Sequence, residues 1–145
     1  MEIYTTGFTK KSAARFFGSL RSAGIQHLVD VRLNNSSQLA GFAKKEDLAF
    51  FLMEICQIEY IHELLLAPTQ ELLDGYKKHK GSWEDYAQEF LALMGERRVE
   101  ERISPQLFAV PTVLLCSEVT AEHCHRRLVT EYLQEKWGNI EIIHL

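Results

Sequence analysis

The chain has 145 residues, 46% of them hydrophobic and 25% charged, with a formal net charge of -4. This predicts one ordinary globular domain with a sizeable core and excludes a disordered or fibrous chain. The acidic balance argues against indiscriminate binding to nucleic-acid phosphates, and no apolar run approaches the length of a membrane span.

Glu2 to Thr6 reads as a first strand ending at Gly7. Nothing in this opening resembles a basic and apolar leader, so a cytoplasmic protein is expected. Thr9 is the expected cap of a first helix whose apolar face is Ala13, Phe16, Phe17 and Leu20, with Gly24 at its end. Ile25 and the run His27 to Arg32 give a second strand, with Asp30 and Arg32 on the same side of it. Residues 33 to 44 are polar and turn-rich. Leu48, Phe51, Leu52 and Ile55 follow the spacing of one helix face. Ile58 to His62 is a short third strand.

Pro68 breaks the next stretch, and Glu71 to Lys80 predicts a short helix. Ser82-Trp-Glu-Asp85 fits a capping box before a helical stripe of Trp83, Tyr86, Phe90, Leu93 and Met94, with Gly95 as the candidate interruption. Glu96 to Ile103 reads as a charged surface helix. Val113 to Cys116 is a continuous apolar run, the signature of a strand covered on both faces. A last helix is expected from near Thr120 to Lys136, and Ile140 to Leu145 closes the chain as a fifth strand. Strands alternating with helices predict an α/β three-layer sandwich around a mostly parallel five-stranded sheet. From the crossover rule the expected strand order is 3-2-1-4-5.

In open α/β sheets, ligands bind beyond the carboxyl ends of the strands. The reactive residues fall at those ends: Gly7 after the first strand, Asp30 and Arg32 on the second, His62 on the third, Cys116 and Glu118 on the fourth. Cys124, His125 and Arg126 follow at once. Cys116 is the better nucleophile candidate, with His125 or His62 as acid or base and Glu118 or Asp30 as orienting carboxylate. Arg32, Lys44 and Arg126 are the candidate anion ligands. The competing readings are structural: Asp30 and Arg32 as a buried salt bridge, Cys124 and Cys56 as packed thiols. Three cysteines in a mid-sized chain predict reduced thiols and not a disulfide framework. Cys116, Cys124, His125 and also His62 could form a zinc site, but their spacing is not that of a standard knuckle. The glycine-rich phosphate loops and the G-x-S-x-G elbow are absent.

The order Thr6-Gly7, Leu28-Val-Asp-Val-Arg32, Phe42-x-Lys44, Tyr60-x-His62, Leu114-Leu-Cys-x-Glu118 and Cys124-His-Arg-x-Leu128 resembles the family catalogued as "domain of unknown function 488". The match runs from the first strand to the last. The resemblance implies an α/β fold in a mostly prokaryotic family. It also implies that Asp30, Arg32, Lys44, His62, Cys116, Glu118, Cys124, His125 and Arg126 stand at signature positions. Two stretches depart from the family pattern. Residues 33 to 38 carry neither the usual proline nor the usual arginine, and residues 64 to 67 lack the usual glycine.

Three functions compete at this level. The first is an enzyme or binding protein for a small anionic or phosphorylated ligand, with a reactive thiol beside it. The second is a nucleic-acid module using Arg32, Lys44 and Arg126, extended by Lys10, Lys11, Arg15 and Arg21. The third is an interaction domain whose polar motif residues only hold the sheet edge together. No membrane association is expected, and the sequence leaves the oligomeric state open.

Overall fold

A computed structural model of the chain describes residues 1–35, 41–117 and 123–145. In chain order the elements are β1 (Glu2–Gly7), α1 (Ala13–Ser22), β2 (His27–Asp30), α2 (Lys45–Phe51), β3 (Glu59–His62), α3 (Gln70–Lys77), α4 (Trp83–Arg97), α5 (Val99–Arg102), β4 (Thr112–Cys116), α6 (His125–Trp137) and β5 (Glu141–His144).

Local chemistry sets the ends of these elements. Ser12, not Thr9, caps α1: its side chain accepts from the Arg15 N–H, while the chain turns at Lys10 with φ of 62°. Gly24 leaves α1 at φ of 69°, the left-handed conformation that glycine adopts without strain. Beyond α2 the chain widens into a π turn over Leu52–Cys56. The extra residue per turn carries Ile55 off the apolar face, and it is 40% exposed. Ser82 caps α4, which runs through Gly95 without interruption and stops where Arg98 enters the left-handed region. α6 begins at His125, later than the expected Thr120 start, with Cys124 in extended conformation as its N-cap residue.

All pairings in the sheet are parallel, and the strand order is β3-β2-β4-β1-β5. This corrects the expected 3-2-1-4-5: β4 and β1 exchange places. The centre of the sheet goes to the strand best suited to burial on every side. All five residues of β4 are buried, whereas β1 begins at the exposed Glu2 and carries Tyr4, Thr5 and Thr6. The α/β class and the parallel sheet stand as expected. The connection from β1 to β2 steps over β4, and the direction of winding still reverses between β1 and β4.

Reversal of winding puts helices on both faces of the sheet. On one face Phe16, Phe17 and Leu20 of α1, with Leu48 and Leu52, pack against Leu28, Val113 and Leu115. On the other, Tyr86, Phe90 and Met94 of α4 and Leu128, Val129 and Leu133 of α6 pack against Val29, Leu114 and Cys116. The alternation along β4 follows the two-residue period of a strand. Among the described residues, no helix is long and apolar enough to cross a membrane.

Candidate functional site

Just beyond β2 the chain builds a buried ion pair. Asp30 is fully buried and Arg32 is 5% exposed. The Arg32 Nε donates to Asp30 Oδ1 at 2.8 Å and its Nη2 to Oδ2 at 2.7 Å, a two-pronged contact. The Arg32 backbone N–H adds a bond to Oδ1 at 3.1 Å, and the Tyr60 hydroxyl donates to Oδ2 at 2.5 Å. Burial, and after it the Asp30 hydrogen bond and charge, hold the Tyr60 phenol well above its ordinary range, so it stays protonated and donating. Arg32 Nη2 also donates to the Ala43 carbonyl at 2.8 Å. His62 closes the network. Its Nε2 meets the Arg32 carbonyl at 2.8 Å, and its Nδ1 meets Asn35 Nδ2 at 3.1 Å.

One nitrogen of the guanidinium is left over. Arg32 Nη1 is buried and, among the described residues, has no hydrogen-bond partner. Arg32 also lines a cleft of about 210 Å³ that opens beyond the carboxyl ends of β1, β2 and β4. Phe8 comes from the end of β1, with the guanidinium carbon 5.0 Å from its ring centre. Cys116 and Ser117 come from the end of β4, Tyr76 from α3, Trp83 and Tyr86 from α4, and His123, Cys124 and His125 from the start of α6. One wall is aromatic: Trp83 stacks on Tyr86 at 5.4 Å and on His123 at 5.1 Å, and Tyr76 lies 4.9 Å from Tyr86. The sulfurs and the guanidinium line the same cleft.

The sulfurs of Cys116 and Cys124 are joined, although the two residues lie eight apart in sequence and their Cα atoms are 7.5 Å apart. The expectation of three reduced thiols is corrected for this pair, and only Cys56 is free. The fold itself makes the pairing: β4 delivers Cys116 to the edge of the sheet, and the N-cap of α6 returns Cys124 beside it. Arg126, 1% exposed, donates from Nη1 to Cys116 Sγ at 3.4 Å. Near it, Lys11 donates to Thr6 Oγ1 at 3.2 Å. Burial first, then the charges of Arg126 and Arg15, pull the Lys11 amine below its ordinary range.

Of the residues expected to form a site, Arg32, Cys116, Cys124 and His125 meet in the cleft wall. Asp30, His62 and Arg126 stand behind that wall: the first two hold Arg32, and Arg126 contacts the sulfur of Cys116. Gly7 pairs with Cys116 at the last register position of β1 and β4, a backbone role. Lys44 does not reach the cleft; it precedes α2 as that helix's N-cap residue. Glu118 lies outside the described residues. His125 Nε2 is engaged with the Val31 carbonyl at 2.8 Å. Among the described residues no group of three or more His, Cys, Asp or Glu side chains could hold a metal ion, so the zinc arrangement is not assembled there.

Several contributors were not legible as site residues. Tyr60 and Asn35 belong to the Arg32 network. Trp83 and Tyr86 read from spacing as core stripe, and they are also cleft wall. Arg97 read as part of a solvated face. Instead its Nη1 sits among the carbonyls of Leu64, Leu65 and Ala67, at 3.2, 2.9 and 2.7 Å. It thereby pins the segment that carries Pro68 into the cleft. The separation of residues 64 and 97 in the sequence hides this; the turn offers carbonyls, and the guanidinium supplies a donor to them.

Comparison with curated proteins found no significant match, and neither did comparison with solved structures. A family model does match, over residues 12–133, which takes in the Asp30–Arg32 pair, both joined sulfurs and Arg126. The chain therefore belongs to the family described as Domain of unknown function DUF488.

Proposed function

We propose that the cleft binds a small anionic ligand of the phosphate type, with Arg32 as its counter-charge and Cys116, in the reduced protein, as the group that reacts with it. The observation that carries this reading is Arg32, which lines the cleft and whose buried Nη1 has no hydrogen-bond partner among the described residues. A buried donor left unsatisfied costs about 1–3 kcal/mol, and an incoming anion removes that cost. Two of the three guanidinium nitrogens are occupied by Asp30. The ligand would therefore meet a single oriented N–H donor group, and not the two-pronged fork that arginine otherwise offers. The aromatic wall supports a ligand with an apolar part beside its charge.

A second reading has its own support. Asp30 receives four hydrogen bonds, from both the backbone and the side chain of Arg32 and from Tyr60. That is what a purely structural polar network would look like. The test separates the two. In a Trp137→Phe background, Trp83 is the remaining tryptophan and reports from the cleft wall. Titration of the reduced protein with inorganic phosphate, and then with a small phosphate monoester, should give a saturable fluorescence change. Arg32→Lys keeps a cation beside Asp30 but removes the third nitrogen, and it should weaken binding by about tenfold or more. No saturable change, or equal affinity in Arg32→Lys, would leave the structural network as the answer.

A further inference from the structure

We propose that Cys116 and Cys124 form a thiol–disulfide exchange site whose co-substrate is a small dithiol, and that its oxidation state decides whether the cleft presents a thiol. The inference deepens the cleft reading above, on which its second clause rests. Three observations converge. The two sulfurs are joined. Both cysteines line the cleft, which gives a reductant a route to residues otherwise almost fully buried. The buried guanidinium of Arg126 donates to the sulfur of Cys116.

The contact with Arg126 sets the direction of exchange. Thiolates leave more easily where a cation receives the charge. A thiolate of the dithiol attacks Cys124 Sγ. The S–S bond breaks, and its electron pair departs on Cys116 as a thiolate beside Arg126. The second thiolate of the dithiol then attacks the dithiol sulfur now bound to Cys124. Cys124 is expelled as a thiolate at the N-terminus of α6, where the helix favours negative charge. The dithiol closes to a cyclic disulfide. Two electrons pass to the protein, and the two protons given up by the dithiol end on the protein thiols or in solvent. Run in reverse, a small disulfide is the oxidant.

In this scheme Cys116 is the reacting sulfur and Arg126 a positioning residue. Only the reduced protein offers a thiolate to a ligand held at Arg32. The oxidised protein has the same cleft with its nucleophile withdrawn.

The experiment uses the full chain carrying Cys56→Ser, which removes the remaining free thiol. The protein is treated with dithiothreitol or with glutathione disulfide, then denatured, alkylated and weighed. Two labels after dithiothreitol and none after glutathione disulfide, with no retained glutathione and full reversal between the two, is the expected result. Two labels under both conditions, or a retained glutathione adduct beside one label, would overturn the proposal. With Cys124→Ser added, the unlabelled, adduct-free species should disappear. Alkylation of Cys116 in that variant should follow a pH profile that moves to higher pH in Arg126→Met and returns in Arg126→Lys, a shift that a merely structural arginine would not produce. Should the Arg126 variants fail to fold, the label counts alone decide. The Trp83 titration with inorganic phosphate keeps the two readings apart. Phosphate binding without redox cycling sinks only the exchange site, and redox cycling without phosphate binding sinks the anion reading and the gating with it.

Discussion

Arg32 has two roles that pull apart on mutation. It neutralises a fully buried carboxylate, and it lines the cleft. Arg32→Ala leaves Asp30 charged, buried and unpaired, so chemical denaturation should show a loss of about 3–5 kcal/mol. Arg32→Lys should lose much less stability, because a cation remains. Tyr60→Phe removes one donor to the carboxylate and should cost about 1.5–3 kcal/mol. Tyr60 also gives the protein an alkaline limit. Its phenol is held above the value of about 10 that it has in the unfolded chain. Stability tied to the protonated phenol is thus complete below about pH 10 and is lost as pH rises through the higher folded value. Tyr132 adds to this, since burial and its bond to Glu100 push it up to about 12. The urea midpoint should fall between about pH 8 and about pH 11, and the fall should be shallower in Tyr60→Phe and in Tyr132→Phe. At this scale the sequence was informative. Asp30 and Arg32 share a strand side, and a two-residue spacing at a strand end suffices to predict their meeting. The expected order already set β3 beside β2; the register that pairs Leu28 with Tyr60 and Asp30 with His62 was not legible, and with it the bond from Tyr60 to Asp30.

Elements deliver the remaining parts of the cleft. α4 supplies the aromatic wall, and Ser82 fixes where that helix begins by accepting from the Asp85 N–H at 3.1 Å. Ser82→Ala should cost about 1 kcal/mol, and it should alter the Trp83 fluorescence, since Trp83 is the first helical residue. Arg97, at the other end of α4, holds the turn at Leu64–Leu66 and the following Ala67. Arg97→Ala strips three carbonyls of a shared donor. Expected is a loss of about 1–3 kcal/mol in urea denaturation, with weakened ligand binding because Pro68 shifts. The helices were readable from their apolar spacing and caps. Their boundaries were not, wherever a single residue decides them: Ser12 over Thr9, Cys124 in place of Thr120, and a π turn that carries Ile55 outward. Spacing assumes a constant turn, and these are the places where the turn changes.

Across the whole molecule, the gathering of reactive groups at one sheet edge follows from the parallel topology, in which every strand ends on the same side. That much could be read from strand ends alone. The strand order could not, because the crossover rule fixes the hand of each connection and not whether a connection skips a place. The exchange of β1 and β4 matters for the site. It puts Cys116 on the middle strand of five, flanked by β2 with Arg32 just beyond it on one side and by β1 with Phe8 just beyond it on the other. An edge strand would have left one side of the sulfur open. Of the residues that read as cations from sequence, Arg32 lines the cleft, while Lys44 stands at the start of α2 and is not among the described lining residues.

The central place of β4 has a further consequence, one of time. Backbone amides exchange with solvent only when their hydrogen bonds open, and a strand bonded on both sides opens last. In heavy water the amides of residues 113–115 should be among the slowest to exchange, well behind those of β3 and β5 at the two edges. Cys116 would then ride on the most slowly opening part of the chain, while its partner sulfur sits at a helix tip. Any event at the sulfur pair would be recorded first as faster or slower exchange at the start of α6, with β4 as the fixed reference.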